Sequence, residues 1–321
     1  MNFLELLFLL KSSFFSIKDK IINNGGTYML IKDIISNKKL SISFEVFPPK
    51  KEMPLDGVYK TIEELKELNP DFISVTYGAG GSSKDRTIEI ASTIKNKYGI
   101  EAVAHLTCAT STKEEIKGIL NQLKNNNIHN VLALRGDIPD GFKINDNLDY
   151  KYSKDLIREI HNRKDFSIAA AAYPEGHIDC RNLEDNIKYL KEKIDSGAEV
   201  LITQLFFDND NFYEFKEKLY KHNINVPVIT GIMPVIDKKI IERIGTLSGA
   251  FIPKKLKNIM DKYENSPEAL LDAGIAYTTE QISDLIVNGV EGVHIYAMNK
   301  PSVAKRIVEN IKEIRRVVNS Y

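Results

Sequence analysis

The chain has only two cysteines in 321 residues and no excess of either charge. Cys108 and Cys180 are too few and too far apart for a disulfide framework or a CxxC metal site. Two lone thiols suit a reducing cytoplasm, where cysteine serves as a small core residue, so a cytoplasmic location is expected. Basic and acidic residues balance at 44 each. No general field therefore favours nucleic acid or an anionic membrane, and only a local basic pocket remains for an anionic cofactor. The six histidines show no H-E-x-x-H or paired spacing, which argues against a catalytic metal. No G-x-S-x-G nucleophile elbow is present, and no strand ends in a lysine set for Schiff-base chemistry.

The apolar run Phe3 to Leu10 is interrupted by Glu5 and has no positive charge before it. It is too short to span a bilayer and lacks a signal-peptide layout. Polar residues follow, ending in Asn23-Asn24-Gly25-Gly26, and Met29 then opens an amphipathic stretch. The expectation is that Met29 is the natural start, with residues 1–28 an upstream extension and residues 29–321 a single domain.

What is present in quantity is alternation. Eight short runs rich in β-branched and other apolar residues recur, starting at Ser41, Asp71, Glu101, Asn130, Phe166, Val200, Val226 and Gly292. Near-continuous apolar runs suit parallel strands covered on both faces. Between them lie amphipathic helix patterns: Val58, Ile62, Leu65 and Leu68 share one face, Ile116, Ile119, Leu120 and Leu123 another, behind a Thr112…Glu115 capping box. Ile187, Leu190 and Ile194 repeat the pattern, with Gly197 placed to end that helix. Residues about 253–288 have room for an extra helix besides the crossover one, and Ser302 to Val318 reads as the closing helix. Eight β-then-α units without a composition break predict an α/β fold, a single (β/α)8 TIM barrel with an extra helix between strands seven and eight. The runner-up, an open doubly wound sheet, is weakened because no G-x-G-x-x-G follows the first strand.

Active sites of such barrels lie at the C-terminal strand ends. On strand one, alternation puts Ile42, Phe44 and Val46 on one face and Ser43 with Glu45 on the other. If the apolar set meets the helices, Glu45 points into the barrel mouth, where burial raises its pKa towards that of a general acid. The alternative is an outward glutamate paired with a lysine. Arg135-Gly136-Asp137 ends strand four, either as a ligand contact or as an ion pair bracing a turn. Gln204, on strand six, is either an amide for a pterin-like ring or a buried amide satisfied by backbone. His105 and Thr107 lie on strand three, Tyr173 to His177 follows strand five, and Tyr296 lies near the end of strand eight. The Gly78–Ser83 loop reads better as a plain turn than as a phosphate cradle. One acid, an Arg/Asp pair, an amide and aromatics suit an organic redox cofactor better than hydrolysis.

Taken in order, SFEVFPPK, VTYGAGGSSKDRT, AHLTC, ALRGD, AAYPEGH, KIDSGAEVLITQLFFD, GIMPV and HIYAMNKP resemble the methylenetetrahydrofolate reductase family, of the bacterial flavin-dependent type. The resemblance runs from about residue 30 to the C-terminus. It implies a flavin-binding barrel working by a ping-pong reaction. NADH or NADPH, with a lean to NADH, would reduce FAD, the alternative cofactor being FMN. Methylenetetrahydrofolate would then open to an iminium ion and take the hydride. Glu45 falls on the family's general acid, Asp137 on the aspartate beside the flavin ring, and Gln204 and Tyr296 on substrate-contacting positions. Thr76, His105, Arg135, Gly136, Asp137, Tyr173, His177 and Lys193 fall on flavin-contacting positions. Departures are Asn186, Glu192, Ile244 and Lys300, where relatives often carry an acid, an arginine, a phenylalanine and an arginine. A homo-oligomer is expected. The competing expectations are a barrel subunit that takes electrons from a partner protein and a flavin-free lyase or isomerase.

Overall fold

The computed structural model of this chain describes residues 21–320 apart from 24–25, 78–83, 139–148, 179 and 181. The Gly78–Ser83 loop and residues 1–20 thus lie outside the described residues. Two short strands, β1 (Ile21–Asn23) and β2 (Gly26–Tyr28), pair antiparallel. The eight apolar runs then form β3 (Ser41–Val46), β4 (Phe72–Val75), β5 (Glu101–Thr107), β6 (Asn130–Leu134), β7 (Ser167–Ala172), β8 (Val200–Thr203), β9 (Val228–Ile232) and β10 (Gly292–Ile295). All are parallel, and β10 pairs with both β3 and β9, aligning Ile295 with Phe44 on one side and Ile232 on the other. The sheet closes on itself: it is a (β/α)8 barrel, not an open sheet.

The helices are α1 (Ile31–Ser36), α2 (Asp56–Lys66), α3 (Lys84–Asn96), α4 (Lys113–Asn125), α5 (Ser153–Arg163), α6 (Leu183–Asp195), α7 (Asn209–Lys221), α8 (Lys238–Ser248), α9 (Lys254–Lys262), α10 (Pro267–Val287), α11 (Pro301–Asn310) and α12 (Lys312–Val318). Their apolar faces turn to the barrel as the spacing predicts: Val58, Ile62 and Leu65 of α2 and Ile116, Ile119, Leu120 and Leu123 of α4 are all buried. The Thr112 box closes as read, with Glu115 N–H donating to the Thr112 hydroxyl at 3.2 Å and Thr112 N–H to the Glu115 carboxylate at 2.9 Å. Such a cap contributes about 1 kcal/mol.

Two differences from the sequence reading concern helices. The region after β9 holds α9 and α10 over 253–288, as expected, and also α8 before them. Asp237 caps α8 by accepting from Ile240 N–H at 2.9 Å, and Gly249 ends it at φ +75°. The closing segment is two helices rather than one, with Ile311 between them at φ −101° and ψ 7°. Ile311 stays fully buried at that break. Beyond it, Arg315 donates to the carbonyls of Leu68 and Asn69 at 3.2 and 2.8 Å.

The bottom of the barrel is plugged by α1. Ile31, Ile34 and Ile35 pack on Phe72, Val103, Leu132, Val200 and Ile229, residues of the inward strand faces. Asn130 fixes the plug, accepting from Ile31 N–H at 2.8 Å and donating to the Met29 carbonyl at 3.1 Å. Ahead of it, Tyr28 stacks on His129 with ring centroids 3.6 Å apart. With the lower end filled by hydrocarbon, the remaining polar interior lies toward the C-terminal strand ends.

Candidate active site

The alternation on β3 is realised as expected. Ile42, Phe44 and Val46 join the core between barrel and helices, and Glu45 turns inward with 7% of its surface exposed. It lies 3.4 Å from His105, Oε2 to Nε2. The contact is not an ion pair at neutral pH. Burial raises the Glu45 carboxyl to about 8 and lowers the His105 imidazole to about 3, so each remains uncharged. His105 Nε2 is buried and has no hydrogen-bond partner among the described residues.

Below this pair, His294 is fully buried between two serines, Nδ1 lying 2.8 Å from Ser43 Oγ and Nε2 lying 3.1 Å from Ser74 Oγ. Each ring nitrogen thus has one serine hydroxyl, and the neutral ring donates through one nitrogen and accepts through the other. Burial, reinforced by His105, lowers His294 to about 3. The sequence reading did not single out this histidine; its signal was a polar residue at an inward position of β10, the same pattern that exposed Glu45.

Above the layer opens a cavity of about 410 Å³. Glu45, Thr76, His105, Tyr173, Gln204 and Tyr296 line it, together with Phe47, Met233, Ile244 and Met298. Gln204 binds its own neighbour, accepting from Leu205 N–H at 2.8 Å, which commits the carbonyl end and leaves the amide NH2 for a ligand. Tyr296 donates its hydroxyl to the Thr203 carbonyl at 2.6 Å, beside Gly231. A Cβ on Gly231 would lie 2.2 Å from that carbonyl and 2.6 Å from the Tyr296 hydroxyl, so only glycine permits the contact.

A second chamber of about 370 Å³ adjoins the first, sharing Leu134, Ala171 and Tyr173. Arg135, His177 and Lys193 line it, with Tyr152, Lys154, Asn186, Tyr189 and Glu192. Lys193 keeps part of its surface open to the chamber, yet its ammonium is packed deeply enough that desolvation lowers it to about 8. That ammonium donates to the Ala171 carbonyl at 2.9 Å and sits 5.6 Å from the Tyr173 ring centroid. The departures from the family pattern are engaged: Asn186 donates to the Tyr173 carbonyl at 3.0 Å, and Glu192 pairs with Lys154 at 2.7 Å.

The expected residues are therefore divided between two chambers, with Tyr173 common to both. Gly136 supports them from outside. Its φ is +81°, and a Cβ there would come 2.7 Å from Thr107 Cβ, so glycine lets the two loops touch. Asp137 is exposed and lines neither chamber. Residues the sequence reading missed are Met233, Thr203, Tyr152, Lys154 and Tyr189; nothing in local spacing marks them. Among the described residues no cluster of histidine, cysteine or acidic side chains could hold a metal, and no helix is long and apolar enough to cross a membrane.

The family model described as "MTHFR: Methylenetetrahydrofolate reductase" matches residues 30–312. The chain is 32% identical to 5,10-methylenetetrahydrofolate reductase of Pectobacterium carotovorum over 85% of its own length and 90% of that protein. It is 33% identical to methylenetetrahydrofolate reductase (NADH) 1 of Arabidopsis thaliana, of which it spans 50%. A solved structure of an uncharacterised Clostridium thermocellum protein that binds two copies of 5-methyl-5,6,7,8-tetrahydrofolic acid shares the fold, with a TM-score of 0.63 and 17% identity over 90% of this chain and 100% of that one. This chain, whose matched segment takes in all eight barrel strands and whose two chambers gather nearly all the expected residues, belongs to the methylenetetrahydrofolate reductase family.

Proposed function

We propose that this chain reduces 5,10-methylenetetrahydrofolate to 5-methyltetrahydrofolate, using a flavin reduced by NADH. The observation that carries the reading is Glu45, a buried carboxyl held protonated at neutral pH on the wall of a ring-sized cavity. A protonated acid in that place can give its proton to a ring nitrogen of the folate as the ring opens. Gln204 supplies amide donors to a pterin, and Tyr296 walls the slot with its hydroxyl already tied to Thr203.

The residues fit a flavin. The unpartnered His105 nitrogen and the Lys193 ammonium offer polar partners to the heteroatoms of its ring. When bound, the flavin supplies the hydride. Thr76, His105, Tyr173 and Lys193 would hold its ring, with Arg135, Gly136 and His177 beside them, and Asp137 would face it from the rim. The second chamber, with Tyr152 and Tyr189 on its walls, supports FAD over FMN.

The test is the visible spectrum of the purified chain, followed by anaerobic addition of methyltetrahydrofolate. A yellow protein bleached by the folate is expected. A protein that stays colourless and inert after FAD is supplied would remove this reading.

A further inference from the structure

Two walls of the cavity come from distant parts of the chain. One is the loop after β7, which carries Tyr173; the other is α8, which carries Ile244. Among the described residues, Glu175 makes a side-chain bridge between that loop and the segment following α8. Its Oε2 accepts from the backbone N–H of Phe251 at 2.7 Å, and its Oε1 accepts from the Asn211 amide on α7 at 2.6 Å. Both carboxylate oxygens are thus spent on tying three elements together.

Each end of the bridge is stiffly joined to its wall. Gly176, at φ +90°, closes the turn containing Glu175 by donating to the Tyr173 carbonyl at 3.0 Å. At the other end Gly245, one residue beyond Ile244, leaves room for Ile252, one residue beyond Phe251: a Cβ added at 245 would lie 3.2 Å from Ile252 Cδ1. Phe251 itself keeps its ring exposed, so the segment is anchored there by its backbone rather than by its side chain.

We propose that Glu175 is a positioning residue that sets the separation between the Tyr173 and Ile244 walls and thereby fits the cavity to its folate. Glu175 does not line either chamber and touches no substrate; it acts through the two walls. The proposal rests on the folate reading of the cavity.

The test compares Glu175→Ala with Glu175→Gln in steady-state oxidation of methyltetrahydrofolate with an artificial acceptor. The glutamine can keep both bonds, because Asn211 can turn its amide to present an oxygen. Glu175→Ala is expected to raise the folate KM about tenfold, the equivalent of one lost hydrogen bond, with kcat and bound flavin little changed. Glu175→Gln is expected to restore the wild-type KM. Glu175→Asp, one methylene too short to reach both partners, repeats the KM effect should the alanine variant not fold. An alanine or aspartate variant with lowered Tm but unchanged KM would overturn the proposal, as would a glutamine variant no better than alanine. Wild-type protein that turns over no folate would overturn the reading of the cavity and this proposal with it, whereas active wild type with indifferent variants would sink this proposal alone.

Discussion

Glu45 and His105 approach to 3.4 Å in the barrel mouth without either carrying a charge at neutral pH. A buried ion pair would need further hydrogen bonds to repay desolvation of both partners. His105 Nε2 has none among the described residues, and the less costly state is a protonated acid beside a neutral imidazole. That state keeps a proton available where a folate nitrogen would lie.

Glu45→Gln should separate stability from chemistry. The folded carboxyl is protonated up to about 8, while the unfolded one ionises near 4.5. The native state therefore binds more protons across that window, and wild-type stability falls as pH rises from about 4.5 to 8. Glutamine removes this cost, so the variant should gain up to about 5 kcal/mol at pH 8 and almost nothing at pH 4. It should still oxidise NADH with an artificial acceptor but lose folate reduction. Urea titrations at the two pH values, run beside both half-reactions, check this; equal stability at pH 8 counts against a protonated Glu45.

Gly231→Ala should cost more than Tyr296→Phe. The added methyl meets the Thr203 carbonyl, backbone that cannot move aside, whereas the phenylalanine loses one hydrogen bond to the same oxygen. Overpacking of this kind costs about 1–3 kcal/mol. The expected order in a urea titration is wild type, then Tyr296→Phe, then Gly231→Ala. The reverse order would mean that Gly231 is not what admits the tyrosine.

Lys193→Met should stabilise the flavin-free chain and weaken its hold on the cofactor. The folded ammonium loses its proton near 8, below the usual lysine value of 10.5, so the native state binds fewer protons between those values. Stability of the wild type therefore rises through that window, and below it the buried cation costs up to about 3 kcal/mol. Methionine should recover that amount at pH 7, with the gain fading above pH 10, while FAD titration shows a raised Kd. An unchanged Kd would remove Lys193 from the cofactor site.

Asp137→Asn tests a residue that the structure leaves on the exposed rim. A carboxylate beside the flavin ring would disfavour added negative charge, so the asparagine variant should be easier to reduce and slower in the folate half-reaction. A potentiometric titration reads the first effect directly. The same potential in both proteins would place Asp137 away from the ring.

The sequence by itself determined the eight barrel strands, most of the helices between them, and that Glu45 lies on the face of its strand opposite the apolar set. Strand and helix periods are local, so residues two or four apart suffice to show which face is apolar, and a carboxylate on the opposite face of a buried strand has only the interior to enter. The Thr112 cap and the stop at Gly197 were legible for the same reason, because their partners lie within a single turn. What only the tertiary structure decided is which distant residues meet. Barrel closure brings β10 beside β3 and seats His294 between Ser43 and Ser74; the loops above bring Glu175 to Phe251, and the glycine at 231 admits Tyr296. The break at Ile311 and the exposed position of Asp137 also escaped local pattern. Contacts across so many residues are set by how the whole sheet closes and packs, and no window of sequence encodes that geometry.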